Sequence, residues 1–170
     1  SIFFSPVFKW RNGIINSIRA SLPGVIGDIG ITLLLGEKRA MPDFIKERFR
    51  SCGAAHLLAV SGLHTGIIFL ILTVVLSILP IKKNFIPIIA SILLIPYLFL
   101  TGFRISVVRA FIMLFIYSFG NLLQRKTNSL NVVGVAGLIL VLINPLSIKS
   151  ISFQLSFLAV TGIILLTDIF

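Results

Sequence analysis

The apolar residues of this chain are gathered into blocks rather than spread in stripes, and that arrangement limits the fold more than any single residue does. Five blocks stand out, at 56–79, 85–100, 106–123, 130–143 and 151–166. The chain is 57% hydrophobic and 12% charged, with a mean hydropathy of +1.11, whereas soluble domains are about half apolar and roughly a quarter charged. Blocks of this density predict an all-α, polytopic helical membrane protein of about five spans. A β-barrel would need alternating stretches of about ten residues, and none is present. The single cysteine, Cys52, excludes an intramolecular disulfide and any cysteine-based metal cluster.

The first third reads differently. Residues 2–20 place Phe3, Val7, Trp10, Ile14 and Ile18 near helical spacing among Lys9, Arg11, Asn16 and Arg19, which predicts an amphipathic helix lying in the membrane interface. Gly13 weakens that helix. The run 22–35 is interrupted by Gly24, Asp28 and Gly30 and falls short of the about 20 residues a span needs. It is expected to be re-entrant, interfacial or packed, with Asp28 more simply an interfacial aspartate than a buried functional carboxylate. Residues 37–50 set Phe44, Ile45 and Phe49 against Lys46, Glu47, Arg48 and Arg50, a short surface helix stopped by Gly53. The expected division is therefore 1–53, a basic interfacial segment with amino-terminal amphipathic helices, and 54–170, a transmembrane helical domain cut from a longer chain.

Net charge is +10, which in a membrane protein reads first as cytoplasmic loop charge and attraction to anionic lipid. Short loops carrying Lys82, Lys83, Arg125 and Lys126 favour one side as cytoplasmic; Lys38, Arg39, Lys46, Arg48 and Arg50 oppose it. Pro87 and Pro96 are expected to bend the second span. Gly134 and Gly137 would allow close helix contact in the fourth.

Polar groups inside hydrocarbon-compatible segments are costly, so they are where function is sought. Both histidines fall in His56-Leu57-Leu58-Ala59-Val60-Ser61-Gly62-Leu63-His64. On one straight helix they are about 12 Å apart along the axis and about 80° apart around it, which forbids a shared metal ion. Ser61 and His64, three apart, suggest either a serine nucleophile with a histidine base or, more simply, a serine bonded to a backbone carbonyl beside Gly62, which admits a neighbouring helix. No orienting group or oxyanion donor stands nearby in sequence.

Arg104 and Arg109 bracket the start of the third span. Arg104 either snorkels to the headgroups or meets an anion; Arg109, about a turn and a half further in, is expected to face a wet cavity. Asn144-Pro145 precedes Ser152-Phe153-Gln154-Leu155-Ser156-Phe157. There Gln154 and the same-face pair Ser152 and Ser156 are interhelical glue or pore lining.

Taken together, Leu34-Leu35-Gly36-Glu37, the histidine-serine string, Ser106-Val107-Val108-Arg109-Ala110, and Asn144-Pro145 with Phe153-Gln154-Leu155-Ser156-Phe157 resemble, in order and spacing, the transmembrane competence domain of the ComEC family over about residues 30–166. Ile105 stands where that family often has proline, and Ser152 where it often has glycine. The resemblance implies a multi-pass channel domain of the bacterial inner membrane that translocates single-stranded DNA during natural transformation, with other competence proteins as partners and a homo-oligomer as one way to complete the pore. It implies no cofactor. Any nuclease chemistry is expected in a metallo-β-lactamase-like domain outside this chain, since no H-x-H-x-D string occurs here, and this chain is expected not to be an enzyme. On that reading Arg104 and Arg109 meet phosphates, while His56, Ser61, Gly62, His64, Gln154 and Ser156 line or gate the path, as a phosphodiester backbone crossing hydrocarbon requires. The alternatives are an intramembrane serine hydrolase using Ser61 and His64, and a structural assembly subunit.

Overall fold

The computed structural model describes residues 5–37, 41–53, 61–124 and 128–167. His56 and Leu57 to Val60 lie outside the described residues, as do Phe3, Lys38, Arg39, Arg125 and Lys126. Among the described residues the chain is all-helical, with no strand: α1 (Ser5–Ser21), α2 (Val25–Leu35), α3 (Asp43–Ser51), α4 (Gly62–Ser77), α5 (Ile86–Leu93), α6 (Ile95–Leu100), α7 (Ile105–Leu122), α8 (Ser129–Ile143), a 3-10 turn (Pro145–Lys149) and α9 (Ile151–Thr167).

One of these helices, Ile105–Leu122, is both long and apolar enough to cross a membrane. The other blocks expected to span form shorter apolar helices, Gly62–Ser77, Ile86–Leu100, Ser129–Ile143 and Ile151–Thr167, and Val25–Leu35 is shorter still. Local chemistry sets these lengths. Pro80 follows α4 by three residues, Asn128 caps α8 through Leu130 N–H at 2.9 Å, and Asn144 turns the chain into the 3-10 segment through Leu146 N–H at 3.2 Å. The bend expected at Pro96 falls where α5 ends and α6 begins, because proline lacks the N–H that would reach the carbonyl four residues back.

The chain divides into two compact units. The first comprises Ser1–His64 and Pro96–Val107. Its organiser is α2, which packs on α1 through glycines: a Cβ on Gly27 would lie 2.1 Å from the Leu22 carbonyl oxygen. Ile31, Leu35, Met41, Leu98 and Val107 are buried within it. The Leu34-Leu35-Gly36-Glu37 stretch is a helix end gathered by four side chains. Gly36 adopts the left-handed conformation (φ 71°) and donates its N–H to Thr32 O, as a glycine C-cap does. The Thr32 hydroxyl bonds Asp28 O and Glu37 O, the Tyr97 hydroxyl donates to Leu34 O at 3.3 Å, and Arg104 donates to Gly36 O. Arg11 closes on the Glu37 carboxylate at 2.6 Å, and Arg19 reaches Asp28 at 3.4 Å. Asp28 is thus a half-buried aspartate of α2 with a cationic partner.

α3 is the short amphipathic helix the sequence predicts, with Asp43 in its first turn and Arg48 and Arg50 in its last, as the helix dipole favours. The Lys46 ammonium, 2.9 Å away, holds the Asp43 carboxyl below its ordinary range.

The second unit comprises Thr65–Ile95 and Val108–Phe170. Leu76, Ile86 and Ala90 form its core with Phe69, Leu72, Ile81 and Ile89 packed around them. α8 lies against α9, where the Gly137 backbone meets Phe157 so closely that a Cβ would fall 3.1 Å from the ring. That is the close contact the glycine spacing predicts; Gly134 has open space instead. Ser91 of α5 donates to Ser118 of α7 at 2.9 Å, both fully buried, and Ser118 donates on to Leu114 O. Each hydroxyl keeps a backbone bond when the other is removed. A Ser91→Ala, Ser118→Ala double-mutant cycle is therefore expected to give a coupling of only about 0.6 kcal/mol, the average for interhelical polar pairs of this kind, measured by unfolding in detergent. A coupling above about 2 kcal/mol would exceed the largest such pair and refute that assignment.

Candidate functional site

Two polar clusters lie where apolar helices begin. The first is at the start of α4. Gly62 is its first residue, so Ser61 occupies the N-cap position and His64 the third helical position. The Ser61 hydroxyl and the His64 Nδ1 are 2.9 Å apart, and the Ser61 backbone N–H also donates to Nδ1 at 3.4 Å. The serine therefore bonds the imidazole, not the backbone carbonyl that is the simpler expectation. Both side chains are half-buried. Thr65, the next residue, is fully buried with its hydroxyl oxygen unpartnered.

The second cluster belongs to α7 and α9. Arg109 sits in the second turn of α7 and is 3% exposed. Its Nη2 donates to Ser152 Oγ at 3.1 Å, while Nε and Nη1 are buried without a partner. None of the ion pairs among the described residues involves Arg109. Burying an unpaired charge costs several kcal/mol, and one hydrogen bond to a charged group returns about 1.5–3. The guanidinium is thus held in place and left under-satisfied.

The remaining candidates fall elsewhere. Arg104 lies in the first unit, with one guanidinium nitrogen on Gly36 O and Nε buried without a partner. Gln154 donates to Ile148 O at 3.0 Å, tying the start of α9 to the 3-10 turn, and is exposed; Ser156 is half-buried. Gly62 opens α4, and Gly66 has open space around its missing side chain. Among the described residues no three His, Cys, Asp or Glu side chains are grouped to hold a metal ion.

Sequence reasoning missed the buried Ser91–Ser118 pair and the Thr32 bridge. A lone serine inside an apolar run is the only signal for the former, and it does not say which other serine it meets.

A family model described as Competence protein matches residues 33–170. ComE operon protein 3 of Bacillus subtilis (strain 168) is 32% identical over 164 residues, covering 96% of this chain and 21% of the relative. An uncharacterized protein of Aquifex aeolicus (strain VF5) is 36% identical over 142 residues, covering 81% of this chain and 32% of the relative. The chain thus spans between about a fifth and a third of the length of these relatives. No solved structure matches. The family match takes in all four motif stretches, from Leu34 to Phe157. The chain belongs to the competence protein family, that of ComEC.

Proposed function

We propose that this chain is the membrane-embedded channel part of a competence protein, passing single-stranded DNA across the bacterial inner membrane. In this reading the five apolar blocks cross the membrane, with spans completed by residues beyond the short helical cores. The rest of the full-length protein or a second copy closes the pore wall, and other competence proteins deliver the strand. Arg104 and Arg109 meet phosphates as they pass. His56, Ser61, Gly62, His64, Gln154 and Ser156 line or gate the path.

The observation that carries the reading is the buried Arg109 guanidinium, fixed by Ser152 yet with two nitrogens unpartnered. Uncompensated cations at membrane depth mark ion pathways, and phosphodiesters are the anions that competence proteins handle. The chain performs no bond-breaking chemistry on this proposal.

The 2.9 Å contact between Ser61 and His64 favours a second reading, an intramembrane hydrolase. It is the weaker one. A nucleophilic serine needs its base oriented by a third group, and the ring nitrogen that faces Ser61 already accepts a backbone N–H.

Thiol labelling tests the channel. In full-length protein with Cys52→Ser, a cysteine at position 152 is expected to react with a membrane-impermeant maleimide, and single-stranded oligonucleotide is expected to slow that reaction. Complete inertness in folded protein would remove α9's start from an aqueous path.

A further inference from the structure

The Ser61–His64 pair has the geometry of a helix-capping device. In a capping box the side chain at the third helical position reaches back to accept the N–H of the N-cap residue, a role normally filled by Glu or Gln. His64 holds that position, and its Nδ1 receives the Ser61 N–H. A backbone N–H is always a donor, so the nitrogen it points at presents a lone pair and carries no proton. The Ser61 hydroxyl, 2.9 Å from the same atom, is then a second donor to it. A neutral imidazole has one N–H, which these two bonds place on Nε2.

We infer that His64 caps the first turn of α4 through Nδ1, leaving its Nε2–H as the donor that the motif offers to phosphodiester oxygens. The ligand class rests on the proposed passage of DNA; the tautomer does not. The same geometry argues against a base for Ser61. Taking up the serine proton at Nδ1 would set an N–H against the Ser61 N–H and place a cation at the positive end of the helix.

Substitutions at His64 separate capping from donation. Glutamate keeps the capping acceptor, suits the helix start, and removes the donor. Glutamine keeps both an acceptor and a donor. In full-length protein at matched membrane levels, His64→Glu is expected to lower DNA uptake into the cytoplasm roughly tenfold or more, with His64→Gln recovering most of it. Ser61→Ala, which keeps the backbone bond, is expected to cost less than His64→Glu. Nitrogen NMR of histidine-labelled protein, with the resonance assigned by its loss in His64→Gln, is expected to show Nε2 protonated and Nδ1 bare.

Equal uptake by His64→Glu and the unsubstituted protein would overturn the donor role. A protonated Nδ1 would overturn the cap, and a larger loss at Ser61 than at His64 would return the pair to nucleophilic chemistry. Failure of the DNA reading itself is recognised separately, by normal uptake in a variant lacking the Arg109 charge.

Discussion

Arg109→Ala in the full-length protein is expected to abolish DNA uptake into the cytoplasm while DNA still binds at the cell surface. A phosphate passing through a low-dielectric segment without a counter-charge faces a penalty at least comparable to that of a charged side chain at the centre of a spanning helix, about 2.5–3.5 kcal/mol. At 1.4 kcal/mol per tenfold, that is roughly a hundredfold slower passage or more. Arg109→Lys is expected to keep part of the activity, because the charge remains while the planar group that reaches Ser152 at 3.1 Å is lost.

Stability is expected to move the other way. Only one nitrogen of the buried guanidinium is bonded to Ser152 and none to a carboxylate among the described residues, so an apolar side chain of similar volume relieves a buried charge. Arg109→Leu should therefore unfold at the same or a higher temperature than the unsubstituted protein while transporting nothing. Transformation at normal frequency by Arg109→Ala, with the protein present at normal level in the membrane, would sink the assignment. A marked loss of stability in Arg109→Leu would make Arg109 a structural residue instead.

What could be read from the residues alone follows the range of each interaction. The helices that begin at Ile105, Ser129 and Ile151 were legible because apolar runs bounded by Asn, Pro and Lys carry their limits locally. So was the polar face of α3. The Ser61–His64 relation was half legible: spacing put the two on one helix face, but their roles depend on the helix starting at Gly62 rather than at His56. A serine inside a helix bonds a carbonyl, whereas a serine at its start looks forward to the third residue. Arg104 was unreadable in this respect. Its acceptor, Gly36 O, is 68 residues away, and no periodicity links them. Gln154 illustrates the opposite limit: read as pore lining or glue between helices, it bonds a carbonyl six residues back, a local choice that only the path of the 3-10 turn decides. The helices Ile105–Leu122, Ser129–Ile143 and Ile151–Thr167 fall within one residue of the expected blocks, whereas the 85–100 block is divided into α5 and α6. Apolar composition measures what a segment tolerates around it, whereas caps and prolines decide where the hydrogen-bond ladder stops.

Gly27→Ala is expected to be the most damaging conservative change in the first unit. The chain leaves α1 at Ser21, turns through Leu22, Pro23 and Gly24 (φ 77°), and re-enters helix at Val25. Gly27 then passes directly beneath the end of α1. A Cβ there would sit 2.1 Å from the Leu22 carbonyl oxygen, 3.3 Å from its carbon and 3.8 Å from Ile18 O. All three are backbone atoms, and Leu22 N–H is itself bonded to Ile18 O at 2.8 Å, so no side chain can rotate away. Overpacking of this kind costs about 1–3 kcal/mol when side chains yield, and a backbone obstacle puts the cost at about 3 or above. For a protein of this size that is a fall of roughly 6–12 °C in unfolding temperature.

Gly13→Ala is the control, because that glycine lies within α1 with nothing within 4 Å of its missing Cβ. It is expected to gain about 0.5–1 kcal/mol from helix propensity alone. Equal unfolding temperatures for Gly27→Ala and the unsubstituted protein would disprove the close approach. The consequence of that approach reaches the far end of α2. The carbonyls of Leu34 and Gly36 that receive Tyr97 and Arg104 are placed by the same rigid helix, so lifting α2 off α1 is expected to release Arg104 from Gly36.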